Sequence, residues 1–65
     1  MLNSVIIEGI VVDDTTINCD KNLVIVEFGK IVPSINSIVR IVGKLKNNKI
    51  IVENLENIGA INGWF

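Results

Sequence analysis

Between Lys30 and Lys49 the chain carries five basic side chains, Lys30, Arg40, Lys44, Lys46 and Lys49, and no acid. A clustered basic face can track a phosphate backbone, because each neutralised phosphate releases condensed counterions. The same lysines can equally serve solubility and blunt exposed strand edges. Charge alone leaves both readings open. Residues 1–28 hold Glu8, Asp13, Asp14, Asp20 and Glu27 against Lys21, a balance of −4, and residues 29–65 carry +3. A net charge of −1 thus conceals halves of opposite sign.

Other chemistry is excluded by absence. The chain has no His, no Tyr and a single Cys. Histidine-based triads, zinc-finger ligand sets and an internal disulfide therefore cannot be assembled within one chain. Asp13, Asp14 and Asp20 lack the spacing of a hard-cation loop and read as solvated turns, so no metal and no cofactor is expected. The expectation is a binding protein rather than an enzyme. Cys19 fits a reducing compartment or a small buried apolar side chain.

The elements that would position these residues follow from composition. Thirteen Ile and nine Val stand against four Leu and one Ala in 65 residues. Side chains branched at Cβ pack well on a pleated surface and lose rotamer freedom in a helix, so the chain reads as all-β. At this length there is one domain. No apolar run approaches the roughly 18 residues of a spanning helix, and Met1 to Gly9 lacks the basic start of a secretory signal. A soluble cytoplasmic protein is expected.

Val5 to Val12 reads as a first strand with a bend at Gly9, closed by Asp13-Asp14. Thr15 to Cys19 is a short edge strand, and Leu23 to Phe28 a third strand ended by Gly29. Pro33, Ser34 and Asn36 make Lys30 to Ser37 a loop with room for one helical turn. Ile38 to Lys46 and Lys49 to Leu55 form a hairpin around Asn47-Asn48, since Asn tolerates the positive φ of a two-residue turn. In that register Leu45 faces Ile50 and Gly43 faces Val52, on a core side shared with Ile41. Lys46 faces Lys49, Lys44 faces Ile51, Val42 faces Glu53 and Arg40 faces Leu55 on the other side. Residues 1–58 are read as the domain and 59–65 as a tail.

Three segments together resemble the bacterial single-stranded DNA-binding proteins. Asn3-Ser4-Val5-Ile6-Ile7-Glu8-Gly9 is similar to that family's first strand. Val26-Glu27-Phe28-Gly29-Lys30 resembles its third-strand signature, and Val39 to Leu45 its fourth strand, where Gly, any residue and Leu follow alternating apolar positions. The resemblance implies a five-stranded antiparallel oligonucleotide-binding (OB) barrel, with the helix between the third and fourth strands reduced or absent. It implies binding of single-stranded DNA, in replication, recombination or repair. Phe28 then falls where the family stacks an aromatic on a base, and Lys30 on the lysine beside the phosphates. Lys44, Lys46 and Lys49 fall in the hairpin with which OB-folds grip oligonucleotides, and Arg40 joins them. The chain departs from the pattern in length and in carrying Asn22 where the family has a stacking Trp. It also has no aromatic at the hairpin tip and no acidic C-terminal run.

Two further choices stay open. Phe28 shares a face with Val24 and Val26, so periodicity allows either a core residue or a platform, and only the resemblance favours stacking. Trp64-Phe65 is either a mobile hook or a cover for an apolar patch. Ile38, Val42, Ile51 and Leu55 are too many apolar residues for one solvent-facing side. They predict a homo-oligomer, a dimer or a tetramer, unless residues 59–65 fold back over them. The runner-up function is an OB-like oligomerisation or protein-interaction module without nucleic acid. An RNA-binding OB-fold similar to small translation factors is less well matched, because such domains are far more basic.

Overall fold

The computed structural model describes residues 4–61. It contains five strands in one sheet: β1 (Ser4–Asp13), β2 (Thr16–Cys19), β3 (Asn22–Glu27), β4 (Ser37–Lys46) and β5 (Lys49–Ala60). Among the described residues there is no helix, and residues 28–36 form an irregular loop without the helical turn allowed for it. No helix is therefore long and apolar enough to cross a membrane.

Each strand pairs with two others, and the pairings run in a circuit β1-β2-β3-β5-β4 that returns to β1. Four of the ladders are antiparallel. The fifth is a two-pair parallel step, Val26 with Ile50 and Glu27 with Ile51, which departs from the all-antiparallel expectation. Thr15 to Cys19 was expected at an edge. Its strand is interior instead, with Ile17 opposite Val11 on β1 and Val24 on β3.

Two of the three hairpins close through two consecutive residues at positive φ, the signature of a type I′ turn that matches the strands' own twist. Asp20 and Lys21 sit at 51° and 69° between β2 and β3, and Asn47 and Asn48 at 53° and 64° between β4 and β5. Gly29, at φ 88°, turns the chain out of β3, and Asn36, at 73°, turns it into β4. Between β1 and β2 the Asp13 carboxylate accepts hydrogen bonds from the Thr15 amide (2.9 Å) and hydroxyl (3.1 Å). The amide bond, with help from the neighbouring hydroxyls, holds the Asp13 carboxyl below its ordinary range.

The expected hairpin register holds for four pairs, from Lys46–Lys49 to Gly43–Val52, and then slips. A bulge between Val42 and Gly43 leaves Glu53 unpaired, so Val42 faces Asn54, Ile41 faces Leu55 and Arg40 faces Glu56. A second irregularity beyond Val39 brings Ile38 opposite Gly59 and Ser37 opposite Ala60. The boundary expected after residue 58 thus falls inside β5. Ile61 continues the contact by donating its amide to the Asn36 carbonyl at 2.9 Å. Trp64 and Phe65 lie outside the described residues.

The interior is built from alternate residues of every strand, as a period of two requires. Val11, Ile17, Val26, Phe28, Val39, Ile41 and Ile50 are buried together, and Val5, Ile7, Val24, Val52 and Leu55 pack against them. Leu45, expected in the core, is half exposed because it lies next to the turn, beyond the strands that cover the rest of the face. Gly9 and Gly43 mark close approaches of backbone. A Cβ at Gly9 would collide with Ile17 and the Asn18 carbonyl of β2, and one at Gly43 with the Ile51 carbonyl of β5. Gly9 therefore admits the neighbouring strand; the β1–β4 register runs through it unbroken.

Candidate nucleic-acid interface

The β4–β5 ladder decides where the basic residues point. Directly opposed residues share a face, and residues two apart on a strand share it too. Arg40, Lys44 and Lys46 therefore line the outer face of β4, and Lys49 joins them from β5 opposite Lys46. Four of the five candidate cations are thus gathered on one face, two of them flanking the Asn47-Asn48 turn. Lys30 stands apart, in the loop after Gly29. It borders a groove of about 300 Å³ together with Phe28, Ile31, Val52, Glu53 and Leu55.

The cations are unequally free. Arg40 donates from Nε to Glu8 Oε2 at 2.8 Å and from Nη1 to Glu56 Oε1 at 3.2 Å. Its hydrogen bond and charge pairing with Glu8, and the charge of Glu56, raise the guanidinium pKa above its ordinary value. One cation between two carboxylates leaves that point of the face acidic. Arg40 accordingly bridges β1, β4 and β5 through two carboxylates. Lys44 lies 3.3 Å from Glu53, and Lys49 lies 2.9 Å from Glu27. Both lysine pairs are solvent-exposed, and such pairs are worth only about 0–1 kcal/mol, so a phosphate can exchange for the carboxylate. Among the described residues Lys30 and Lys46 form no ion pair.

Phe28 belongs to the core. Only 7% of its surface is exposed, so it offers no ring face to a base, and the stacking role is corrected by burial. Its edges border two grooves. One is shared with Lys30, and the other, of about 290 Å³, is lined by Asp14, Ile25, Glu27, Val32 and Lys49 among others. The exposed apolar side chains nearby are aliphatic: Leu23 and Ile25 on the outer face of β3, and Ile31, Val32 and Ile35 in the loop. They give a base a surface for apolar contact without aromatic stacking.

The expected oligomer surface is also redrawn. Ile38, Val42 and Ile51 remain half-buried on the outer face. Leu55 does not: the bulge at Glu53 turns it inward, where it pairs with Ile41 and packs on the core. Ile6 takes a place on that face instead, opposite Val42 and 69% exposed. The carboxylates that neutralise the hairpin escaped the sequence reading because Glu8, Glu27 and Glu53 reach their partners through long-range pairing, a parallel step and a bulge. Among the described residues no group of three or more acids and thiols gathers as a metal site. No family model, curated protein or solved structure matches this chain.

Proposed function

We propose that the chain is a small OB-fold barrel that binds single-stranded DNA weakly and without sequence preference. The observation that carries this reading is the convergence of Lys44, Lys46 and Lys49 on one face of the β4–β5 hairpin. The strand order and the parallel β3–β5 step support the OB assignment. Lys44, Lys46 and Lys49 contact phosphates, Lys30 adds a contact from the loop, and bases lie against Leu23, Ile25 and Val32. Without an aromatic platform, which contributes about 1–3 kcal/mol per base, affinity is low. A role in replication, recombination or repair follows from the family resemblance, with RNA as the alternative strand.

The test is anisotropy of labelled oligo-dT across a salt series, with oligo-U and duplex DNA as competitors. Three or four phosphate contacts give a slope of log K against log salt of about −2 to −3, at roughly 0.7 per contact on single strands. No saturable binding at low salt ends this reading. The second reading, an oligomerisation or interaction module, is favoured by the carboxylates held on Arg40, Lys44 and Lys49 and by the burial of Phe28.

A further inference from the structure

β3 and β5 run side by side for only two residue pairs. Their parallel step ends at Glu27 and Ile51, and Gly29 then turns the chain away. From Val52 to Ala60 β5 keeps β4 on one side and has no ladder on the other among the described residues. Residues 28–36 make no backbone hydrogen bond to that open side until the Ile61 amide reaches the Asn36 carbonyl.

The gap between loop and strand is the groove of about 300 Å³ beside Phe28. Its floor is apolar and continuous with the core, since Phe28 is buried there and Val52 and Leu55 pack on the same cluster. Ile31, 78% exposed, lines it from the loop. β5 adds the main chain of Glu53, the residue that the bulge leaves without a partner on β4. The two charges at the groove are not equivalent. Glu53 is answered by Lys44 at 3.3 Å, whereas Lys30 forms no ion pair among the described residues.

We propose that this groove binds an extended segment of another protein, laid alongside β5, with one bulky apolar side chain over Phe28 and Leu55 and an adjacent Asp or Glu on Lys30. Each part of the groove selects for that occupant. An open strand edge offers amides and carbonyls at a repeat of roughly 7 Å, which an extended peptide matches and a nucleotide backbone does not. The volume lies at the lower end of the range of roughly 300–1,000 Å³ for ligand clefts, which suits a single anchoring side chain. With Glu53 already neutralised, the free charge is positive, so the acid comes from the segment.

The same edge is protected against indiscriminate pairing. Its two irregularities and the charges of Glu53 and Glu56 are devices that keep a strand from joining an arbitrary neighbour. The apolar anchor and the acid are what a specific segment brings to overcome them. Glu53 also sets a carboxylate at the rim, which opposes a polyanion more than a peptide. This inference does not depend on nucleic-acid binding by the hairpin face.

The probe is a fluorescein-labelled, end-blocked heptapeptide with two threonines on each side of Glu-Leu-Glu. Saturable anisotropy is expected, with slowed hydrogen exchange at the β5 amides between Val52 and Leu55, a mark of strand addition that side-chain contact does not leave. Ile31→Ser weakens binding about tenfold through lost apolar contact. Lys30→Glu abolishes it and transfers binding to the counterpart peptide carrying Lys-Leu-Lys. Both residues are exposed, so the circular dichroism of each variant stays that of the parent. Leu23→Ser, on the outer face of β3, leaves binding unchanged. No saturation by about 1 mM peptide, which corresponds to about −4 kcal/mol, overturns the proposal. So does binding without exchange protection on β5, or an Ile31→Ser variant that binds like the parent. Oligo-dT protecting those amides where the peptide does not would give the groove to nucleic acid and overturn it equally.

Discussion

Glu8 and Arg40 face each other across the β1–β4 ladder, and Arg40 reaches on to Glu56 of β5, so one guanidinium spans three strands. The contact lies on the same face as the hairpin lysines yet has the opposite electrostatic sense, because two carboxylates surround the single cation. Within one basic block Arg40 is thus held by two carboxylates, Lys44 and Lys49 by one each, and Lys46 by none among the described residues.

The first prediction follows from that difference. Lys44→Gln, Lys46→Gln and Lys49→Gln each reduce the magnitude of the salt slope for oligo-dT by about 0.7. Arg40→Gln leaves the slope unchanged and instead lowers the urea midpoint, an effect that shrinks in 1 M salt as screening removes the pairing. Equal slopes for all four variants would count against the lysine face.

Gly43 is predicted to be the position least tolerant of a methyl group. An added Cβ would meet the Ile51 carbonyl, which is held in the β4–β5 ladder and has no flexible end to give way. Gly43→Ala should cost about 1–3 kcal/mol, read from chemical denaturation. A domain of this size is stable by only about 3–10 kcal/mol, so the loss is a large part of the whole.

Lys21 occupies the left-handed region at φ 69°, where an L side chain with no local hydrogen bond pays about 1–2 kcal/mol. Lys21→Gly relieves that strain while loosening the unfolded chain. The expected net gain is about 0.5–1 kcal/mol, visible as a raised denaturation midpoint.

Asp13 supplies the pH dependence of the β1–β2 turn. Its folded carboxyl titrates below the ordinary value of 3.8, chiefly because the charged form accepts the Thr15 amide hydrogen bond. Its contribution is therefore complete above pH 3.8 and is lost as the pH falls through the folded value. Asp13→Ala should destabilise the protein at neutral pH, and the difference from the parent should diminish below pH 3.8. Parallel stability curves down to pH 2 would refute the assignment.

Much of the fold was legible because local chemistry determines it. The Ile and Val content announced strands, and Asn47-Asn48 announced the turn and the first four pairs of its hairpin. What escaped was what depends on a single inserted residue. The bulge at Glu53 moved Leu55 from the outer face to the inner one and put Glu56, not Leu55, opposite Arg40. No propensity marks that bulge, since Glu53 is as compatible with a regular strand as with an irregular one. The two roles of Phe28 were equivalent by period. Only its burial in one cluster with Val11, Ile17 and Ile41 decides for the core.

The partners of β1 lie far along the chain: Ile10 pairs with Ile38, and Ser4 with Lys44. During synthesis the amino-terminal strand is therefore made first and must wait for β4 before its main ladder can form. Closing loops of this length is entropically costly and slow, and an apolar strand held open meanwhile is exposed to other chains. The segment Val5 to Val12 is thus the nascent chain's most vulnerable stretch, and its Glu8 and Gly9 interrupt what would otherwise be six consecutive Ile and Val residues.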